Sequence, residues 1–137
     1  MKVAVLLVLI APVLAAGGRD YWCAEKWPPM DFPMLALQAR VSGVVRLKAR
    51  IDGDGTVGHA RVLSGNRVLG QAAQENLAKW IFGRCSGGVH GLTAHAGEIE
   101  IVYDFKLAGM SLSPKTAFLY KPKGRVIVAA PAAHWMP

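Results

Sequence analysis

Alternating apolar and polar residues predict three strands in the middle of the chain. The first is expected over 45–51, with apolar side chains on one face and cations on the other. The second covers 56–64, and a change of parity near Gly58 indicates a β-bulge. Its inward residues are expected to be Ala60, Val62 and Ser64. The third covers 98–106 and places acidic residues opposite its apolar face.

Two further segments have apolar residues at helical spacing. Asp31, Phe32 and Pro33 predict a helix start, and the apolar pattern continues to Val41 before a glycine at 43. The second helix is expected over 68–82, with Gly83 as its stop. The glycine-rich segment 85–96 is predicted to be a loop.

The order helix, strand, strand, helix, strand predicts an α+β fold, in which two helices pack on a three-stranded antiparallel sheet. Opposite charges on the first and third strands favour these two as neighbours, with the second strand on the far side. The third strand would then keep one unpaired edge. Residues 118–120 and 125–129, separated by 121–124, predict an additional C-terminal β-hairpin.

The first 16 residues contain a short apolar run over 3–14, with one cation before it and small residues after it. This pattern predicts a cleaved signal peptide over 1–16, followed by an N-terminal arm over 17–30. The alternative is an uncleaved membrane anchor, although a spanning helix needs about 20 apolar residues and this run is shorter. We therefore expect the mature protein to be soluble and outside the cytoplasm.

Export favours a disulfide between the two cysteines, Cys23 and Cys85. The alternatives are two buried free thiols or half of a metal site. The chain has no CxxC motif and no nearby paired histidines, which argues against the metal site.

The net charge of +7 suits an acidic partner, an anionic envelope surface or simple solubility. Export and the lack of a basic-aromatic motif disfavour nucleic acid. The sequence contains no nucleophile elbow, phosphate loop or acid–base pair. We therefore expect that the chain is not an enzyme and that it needs no cofactor and no metal.

An ordered set of residues over 31–107 resembles the TonB C-terminal domain. The set comprises Phe32 and Pro33 at a helix start, Gly43, Gly55 and Val57 around the first hairpin, Ser64 and Gly65 after the second strand, and Trp80 with Phe82 beyond the second helical pattern. Trp80 and Phe82 are interpreted as core residues. Residues 108–137 would form a hairpin extension and a tail.

The resemblance implies a location and a mode of binding. Domains of this family lie in the periplasm and grip a short segment of outer-membrane receptors, the TonB box, as an added strand. The implied binding edge is the last family strand, here Glu98, Ile99, Glu100, Ile101, Val102, Tyr103, Asp104 and Phe105. An unpaired strand edge offers the backbone donors and acceptors that such β-augmentation uses.

The chain departs from the full family pattern, because it shows no convincing membrane anchor and no long Pro- and Lys-rich spacer. The expected partner is a receptor peptide or another envelope protein. The alternative function is a structural envelope domain, monomeric or homodimeric, whose hairpin fills the binding edge and which transduces no energy.

Overall fold

The computed structural model of the protein describes residues 21–87, 91–94, 97–107 and 116–130. The strands are β1 (Tyr21–Lys26), β2 (Gly43–Ile51), β3 (Val57–Ser64), β4 (Ile81–Cys85), β5 (Leu92–Thr93), β6 (Glu98–Lys106), β7 (Ala117–Lys121) and β8 (Arg125–Ala129). The helices are α1 (Met34–Gln38) and α2 (Arg67–Leu77). The predicted signal peptide and tail lie outside the described residues.

The fold is α+β, as predicted, and its main sheet has the strand order β3-β2-β6-β8-β7. The three predicted strands are adjacent and antiparallel in the predicted order, with β2 between β3 and β6. The C-terminal hairpin, β7 and β8, extends this sheet, and β8 runs parallel to β6. The prediction that β6 keeps one unpaired edge is therefore wrong over residues 102–106.

A second, three-stranded sheet has the order β4-β1-β5. In this sheet β1 lies between two antiparallel neighbours, so residues 21–26 of the predicted N-terminal arm form its central strand. The predicted disulfide joins Cys23 on β1 to Cys85 on β4, with their Cα atoms 5.9 Å apart. The predicted loop 85–96 contributes the short strand β5.

The second helix is shorter than predicted. It begins after Asn66, whose side-chain oxygen accepts hydrogen bonds from the backbone of Val68 and Leu69, and it ends at Leu77. The residues expected in its last turn form β4, because pairing with β1 and the disulfide hold this segment extended. Tertiary pairing thus overrides the helical spacing of the apolar residues, and Gly83 lies within a strand rather than at a helix stop.

The first helix also ends earlier than predicted, at Gln38. Arg40 has a φ of 54°, and the backbone N–H of Val41 donates to Ala36 O at 2.8 Å. This arrangement is a Schellman motif, in which a left-handed residue closes the helix. The left-handed position is occupied by arginine rather than glycine, so the apolar pattern predicted a helix that continues to Val41.

Two bulges change the parity of β3. The predicted bulge at Gly58 is confirmed, because Arg50 pairs with His59 while Ile51 pairs with Val57. A second register shift, opposite Leu47, was not predicted. Ala60 is buried as expected. Val62 pairs with buried Leu47 and lies against Gly70 of α2, so it faces inward as predicted although it is 37% exposed. Ser64 lies beyond the second shift, pairs with Arg46 and is exposed.

The hydrophobic core lies on one face of the main sheet, beneath both helices and the second sheet. Its largest fully buried side chains are Trp80, Tyr103, Phe82, Phe105, Leu47, Leu69, Leu77, Ile99 and Ile101. The core also includes Val126 and Val128 of β8, which are 0% exposed. The hairpin is therefore part of the core and not an appendage.

Candidate peptide-binding edge

Strand β6 packs its inner face against the hydrophobic core. Alternate side chains from Ile99 to Phe105 are buried, and the ring of Phe105 meets that of Phe32 edge-on at 5.7 Å. The hydroxyl of Tyr103 donates to Asn76 Oδ1 at 2.6 Å, which places a polar anchor in the core. The burial of Tyr103 raises the pKa of its hydroxyl well above the ordinary value.

Asn76 connects this strand to the rest of the fold. Its Oδ1 also accepts a hydrogen bond from Trp80 Nε1 at 2.9 Å, and its Nδ2 donates to Pro28 O at 2.9 Å. All three bonds are made by a side chain that is 4% exposed. A buried amide with its donor and acceptor satisfied fixes the relative positions of α2, β6 and the N-terminal arm.

One edge of β6 is fully occupied by β2. The register pairs Gly43 with Phe105 and Arg50 with Glu98. On the outer face, Arg46 Nε donates to Glu100 Oε1 at 2.9 Å, and Arg61 of β3 lies 3.4 Å from Glu98. The expected attraction between cationic and acidic strands is therefore present, although these exposed pairs contribute about 0–1 kcal/mol each.

The other edge of β6 is occupied by β8 over residues 102–106, in parallel register. The backbone N–H of Val102 donates to Gly124 O at 2.8 Å, and the N–H of Ala130 donates to Lys106 O at 2.8 Å. Four residues of the predicted binding edge, Val102, Tyr103, Asp104 and Phe105, therefore have the chain's own hairpin as their neighbour.

The first part of this edge, residues 98–101, has no strand paired on its outer side among the described residues. Because the backbone of Val102 faces β8 and directions alternate along a strand, the N–H and C=O groups of Glu98 and Glu100 face this open edge. A surface depression of about 460 Å³ lies there, lined by Lys48, Gly91, Leu92, Thr93, Glu98, Ile99, Glu100 and Lys123.

The hairpin turn closes the end of the open segment. Gly124 has a φ of 73°, and a Cβ at this position would lie 2.8 Å from Glu100 O. Glycine thus allows both the left-handed turn and the close approach of the turn to β6. A larger residue at this position would push the turn away from the edge.

A charged cluster fastens the hairpin to β6 on the outer face. The Asp104 carboxylate is 3.2 Å from Arg125 Nη2 on β8 and 3.7 Å from Lys106 Nζ. The side chain of Asp104 is only 12% exposed, whereas both cations are about half exposed. The cations compensate the negative charge of the partly buried carboxylate, so removing Arg125 would leave that charge with less compensation.

The hairpin's inner face packs against aromatic rings. Tyr120 contacts Trp80 edge-on at 5.1 Å, and it also contacts Trp27 at 5.3 Å. The Tyr120 hydroxyl is buried without a hydrogen-bond partner, and burial raises its pKa. Trp27 remains 43% exposed, so its ring covers the hairpin from the solvent side.

The motif residues occupy structural positions. Phe32 is buried and Pro33 caps α1, while Gly43 begins β2 and Val57 begins β3. Gly55 has a φ of 89°, and its carbonyl accepts a hydrogen bond from Phe82 N at 2.8 Å. Ser64 and Gly65 end β3. Trp80 and Phe82 stack in the core, as predicted, with centroids 5.9 Å apart.

The motif residues lie within the part of the chain that a family model matches. The family model described as "Gram-negative bacterial TonB protein C-terminal" matches residues 28–107. The chain belongs to the TonB C-terminal domain family. No curated protein and no solved structure matches the chain.

Membership assigns this TonB-like domain to envelope transport, where domains of the family bind outer-membrane receptors or other envelope proteins. They act as binding and energy-transducing modules rather than as enzymes. No helix in the described part of the chain is long and apolar enough to cross a membrane.

Sequence reasoning offered the hairpin as an occupant of the β6 edge only as the alternative function, and it did not predict that β8 pairs in parallel. Charge complementarity identified β2 as a neighbour of β6, whereas β8 carries no such signal for β6. The continuous apolar run 126–128 is consistent with a parallel strand, since strands of parallel sheets have near-continuous apolar sequences.

Proposed function

We propose that this TonB-like domain recognises an extended segment of an envelope protein, such as the TonB box of an outer-membrane receptor, by adding it as a strand to the edge of β6. The observation that carries the proposal is β8, which already pairs with this edge over five residues in parallel. The edge is therefore shaped for an added strand, and residues 98–101 extend it beyond the hairpin.

The hairpin would act as an internal competitor of the partner. A segment that uses the whole edge, from Glu98 to Phe105, must displace β8. Displacement exposes Val126 and Val128 and breaks the contact between Arg125 and Asp104. The apparent affinity is then reduced by the fraction of molecules whose hairpin is released.

The burial of β8 favours a second candidate function. Because Val126 and Val128 belong to the core, the hairpin would remain in place, and the protein would be a structural envelope domain with a filled edge. The two candidates differ in whether loosening the hairpin increases the binding of an extended peptide.

Two opposite changes to the hairpin test the proposal, one that loosens it and one that locks it. Gly124→Ala loosens the hairpin, because the added Cβ strains the turn and pushes it against Glu100 O. Gly97→Ala is the matched control, because it introduces a similar strain at a φ of 78° where a Cβ would meet nothing within 4 Å. Val102→Cys with Arg125→Cys would lock β8 onto β6, because these residues are partners in register. Peptide mapping must verify that the native disulfide is retained.

The measurement is a titration of each protein with a synthetic TonB-box peptide, followed through the amide resonances of 98–106. We expect Gly124→Ala to bind about tenfold more tightly than wild type, Gly97→Ala to bind like wild type, and the locked protein to lose binding. Equal binding by locked and loosened proteins would refute displacement, and no binding by any of them would support the structural candidate.

A further inference from the structure

With the hairpin in place, the main sheet ends at β7. Gly124 O and Ala130 N both bond to β6, so the even-numbered residues of β8 face β6 and its odd-numbered residues face β7. The register pairs Leu119 with Ile127 and Tyr120 with Val126. The backbone groups of Phe118 and Tyr120 therefore point away from the sheet, and no described strand pairs with them.

The opposite end of the sheet is better protected. At β3 the side-chain amide of Gln74 donates to Ala60 O, and two bulges interrupt the strand. Bulges and side-chain contacts of this kind protect natural sheet edges against added strands. No bulge interrupts the pairing of β7 with β8 over 117–121.

Apolar side chains flank the open edge on both faces of the sheet. On the outer face Leu119 is 53% exposed. On the opposite face the ring of Tyr120 contacts the exposed ring of Trp27. At the far end, Phe32 N lies 3.4 Å from Thr116 Oγ1, which places the segment before α1 alongside the start of β7. A strand added here would contact Leu119 on one face and Trp27 on the other.

The charges near this edge are unevenly distributed. Lys121 ends β7, Lys123 lies in the turn and Lys26 immediately precedes Trp27. Residues 116–130 include three cations and no acid. The acid at the other end is Asp31, next to Phe32. The edge is thus cationic where Trp27 and Tyr120 meet, and an acidic side chain would be attracted there.

We propose that the outer edge of β7 docks an extended acidic segment of another envelope protein as a sixth strand of the main sheet. Its alternating residues contact Leu119 and Trp27, and its acidic end lies against Lys121 and Lys26. This surface is separate from the β6 edge, because it exists while β8 remains bound to β6.

A second copy of the chain fits this edge less well. Two hairpins brought together would place like charges near one another. A five-residue edge also buries much less than the roughly 1,200 Å² that stable dimers need. A flexible acidic segment needs only a weak, reversible contact, which main-chain hydrogen bonds and two apolar contacts supply.

The test uses a capped heptapeptide of sequence Val-Thr-Val-Thr-Val-Glu-Glu and a control in which both Glu residues are Lys. Each is titrated into the purified protein while amide resonances are followed. The disruptive variant is Leu119→Lys, and the matched control is Leu63→Lys, an exposed leucine at the opposite edge of the sheet. A charge on an edge strand discourages strand addition without disturbing the core.

We expect the acidic peptide to shift the amides of Phe118 and Tyr120 while the resonances of β6 keep their positions. The Lys-containing peptide should bind about tenfold more weakly, and Leu119→Lys should weaken binding by about tenfold while Leu63→Lys changes it by less than about twofold.

Three results would overturn the proposal. Shifts confined to 98–106 would move binding to the β6 edge and support the proposed function instead. If the solution mass doubles as protein concentration rises without peptide, and does not do so in Leu119→Lys, the edge of β7 binds a second copy of the chain instead. The absence of any shift would show that β7 takes no added strand.

Discussion

At the scale of residues, the stability of the core depends on which buried polar groups have hydrogen-bond partners. The hydroxyl of Tyr103 donates to Asn76 Oδ1, whereas the hydroxyl of Tyr120 is buried without a partner. Both rings contact Trp80, at 6.4 Å and 5.1 Å between centroids. The two tyrosines contact the same ring but differ in hydrogen bonding and in burial, since Tyr103 is fully buried and Tyr120 only partly.

Removing each hydroxyl should have opposite effects on stability. Tyr103→Phe should lower the free energy of unfolding by about 1–2 kcal/mol, because Asn76 loses a buried partner. Tyr120→Phe should leave stability unchanged or raise it by up to about 1 kcal/mol, because it removes an unsatisfied polar atom. Chemical denaturation of the two variants measures both changes, and an equal loss in both would contradict the hydrogen-bond assignment.

The raised pKa of Tyr103 predicts instability at alkaline pH. Its folded pKa lies well above the ordinary value of 10.0, so the unfolded chain loses this proton first. Stability is fully present below pH 10 and falls as pH rises further, by about 1.4 kcal/mol per pH unit for this one group. Denaturation between neutral and strongly alkaline pH should show a shallower decline in Tyr103→Phe. Identical declines in both proteins would assign the effect to other groups.

At the scale of elements, local patterns identified most helices and strands, and charge complementarity identified β2 and β6 as neighbours. Alternation located β2, β3 and β6, and the turn residues located the hairpin. The strand β4 was missed because Ile81 and Phe82 continue the helical spacing of α2, and pairing with β1 makes them extended. The parallel contact of β8 with β6 depends on tertiary packing, so the sequence identified the candidate edge and offered the hairpin as one occupant without deciding between it and a partner.

The turn at Gly124 provides an element-scale prediction. In Gly124→Ala the Cβ would meet Glu100 O, so the hydrogen bond from Val102 N to Gly124 O should weaken. Amide hydrogen exchange at Val102 should become about tenfold faster or more, whereas Gly97→Ala should leave it unchanged. Equal acceleration in both variants would attribute the effect to backbone strain and not to the contact with β6.

At the scale of the whole molecule, the disulfide joins β1, which precedes the family domain, to β4 within that domain. It joins residues separated by 62 positions, and β1 lies before the matched range 28–107. In the chain-entropy model, a loop of this length stabilises the fold by about 4 kcal/mol. Replacing both Cys23 and Cys85 with Ser should lower the unfolding free energy by roughly 2–4 kcal/mol. Reductant should shift the unfolding of wild type but not of this variant, and an equal shift in both would contradict a structural disulfide.

Strand addition at the edge of β6 is tested most directly by residue-resolved amide hydrogen exchange in the presence of saturating TonB-box peptide. The amides of Glu98 and Glu100 should gain protection, because they face the open edge. The amides of Val128 and Ala130 should lose protection as the hairpin is displaced, because the even-numbered residues of β8 face β6. A bound peptide that changes the exchange of none of these amides would contradict the account.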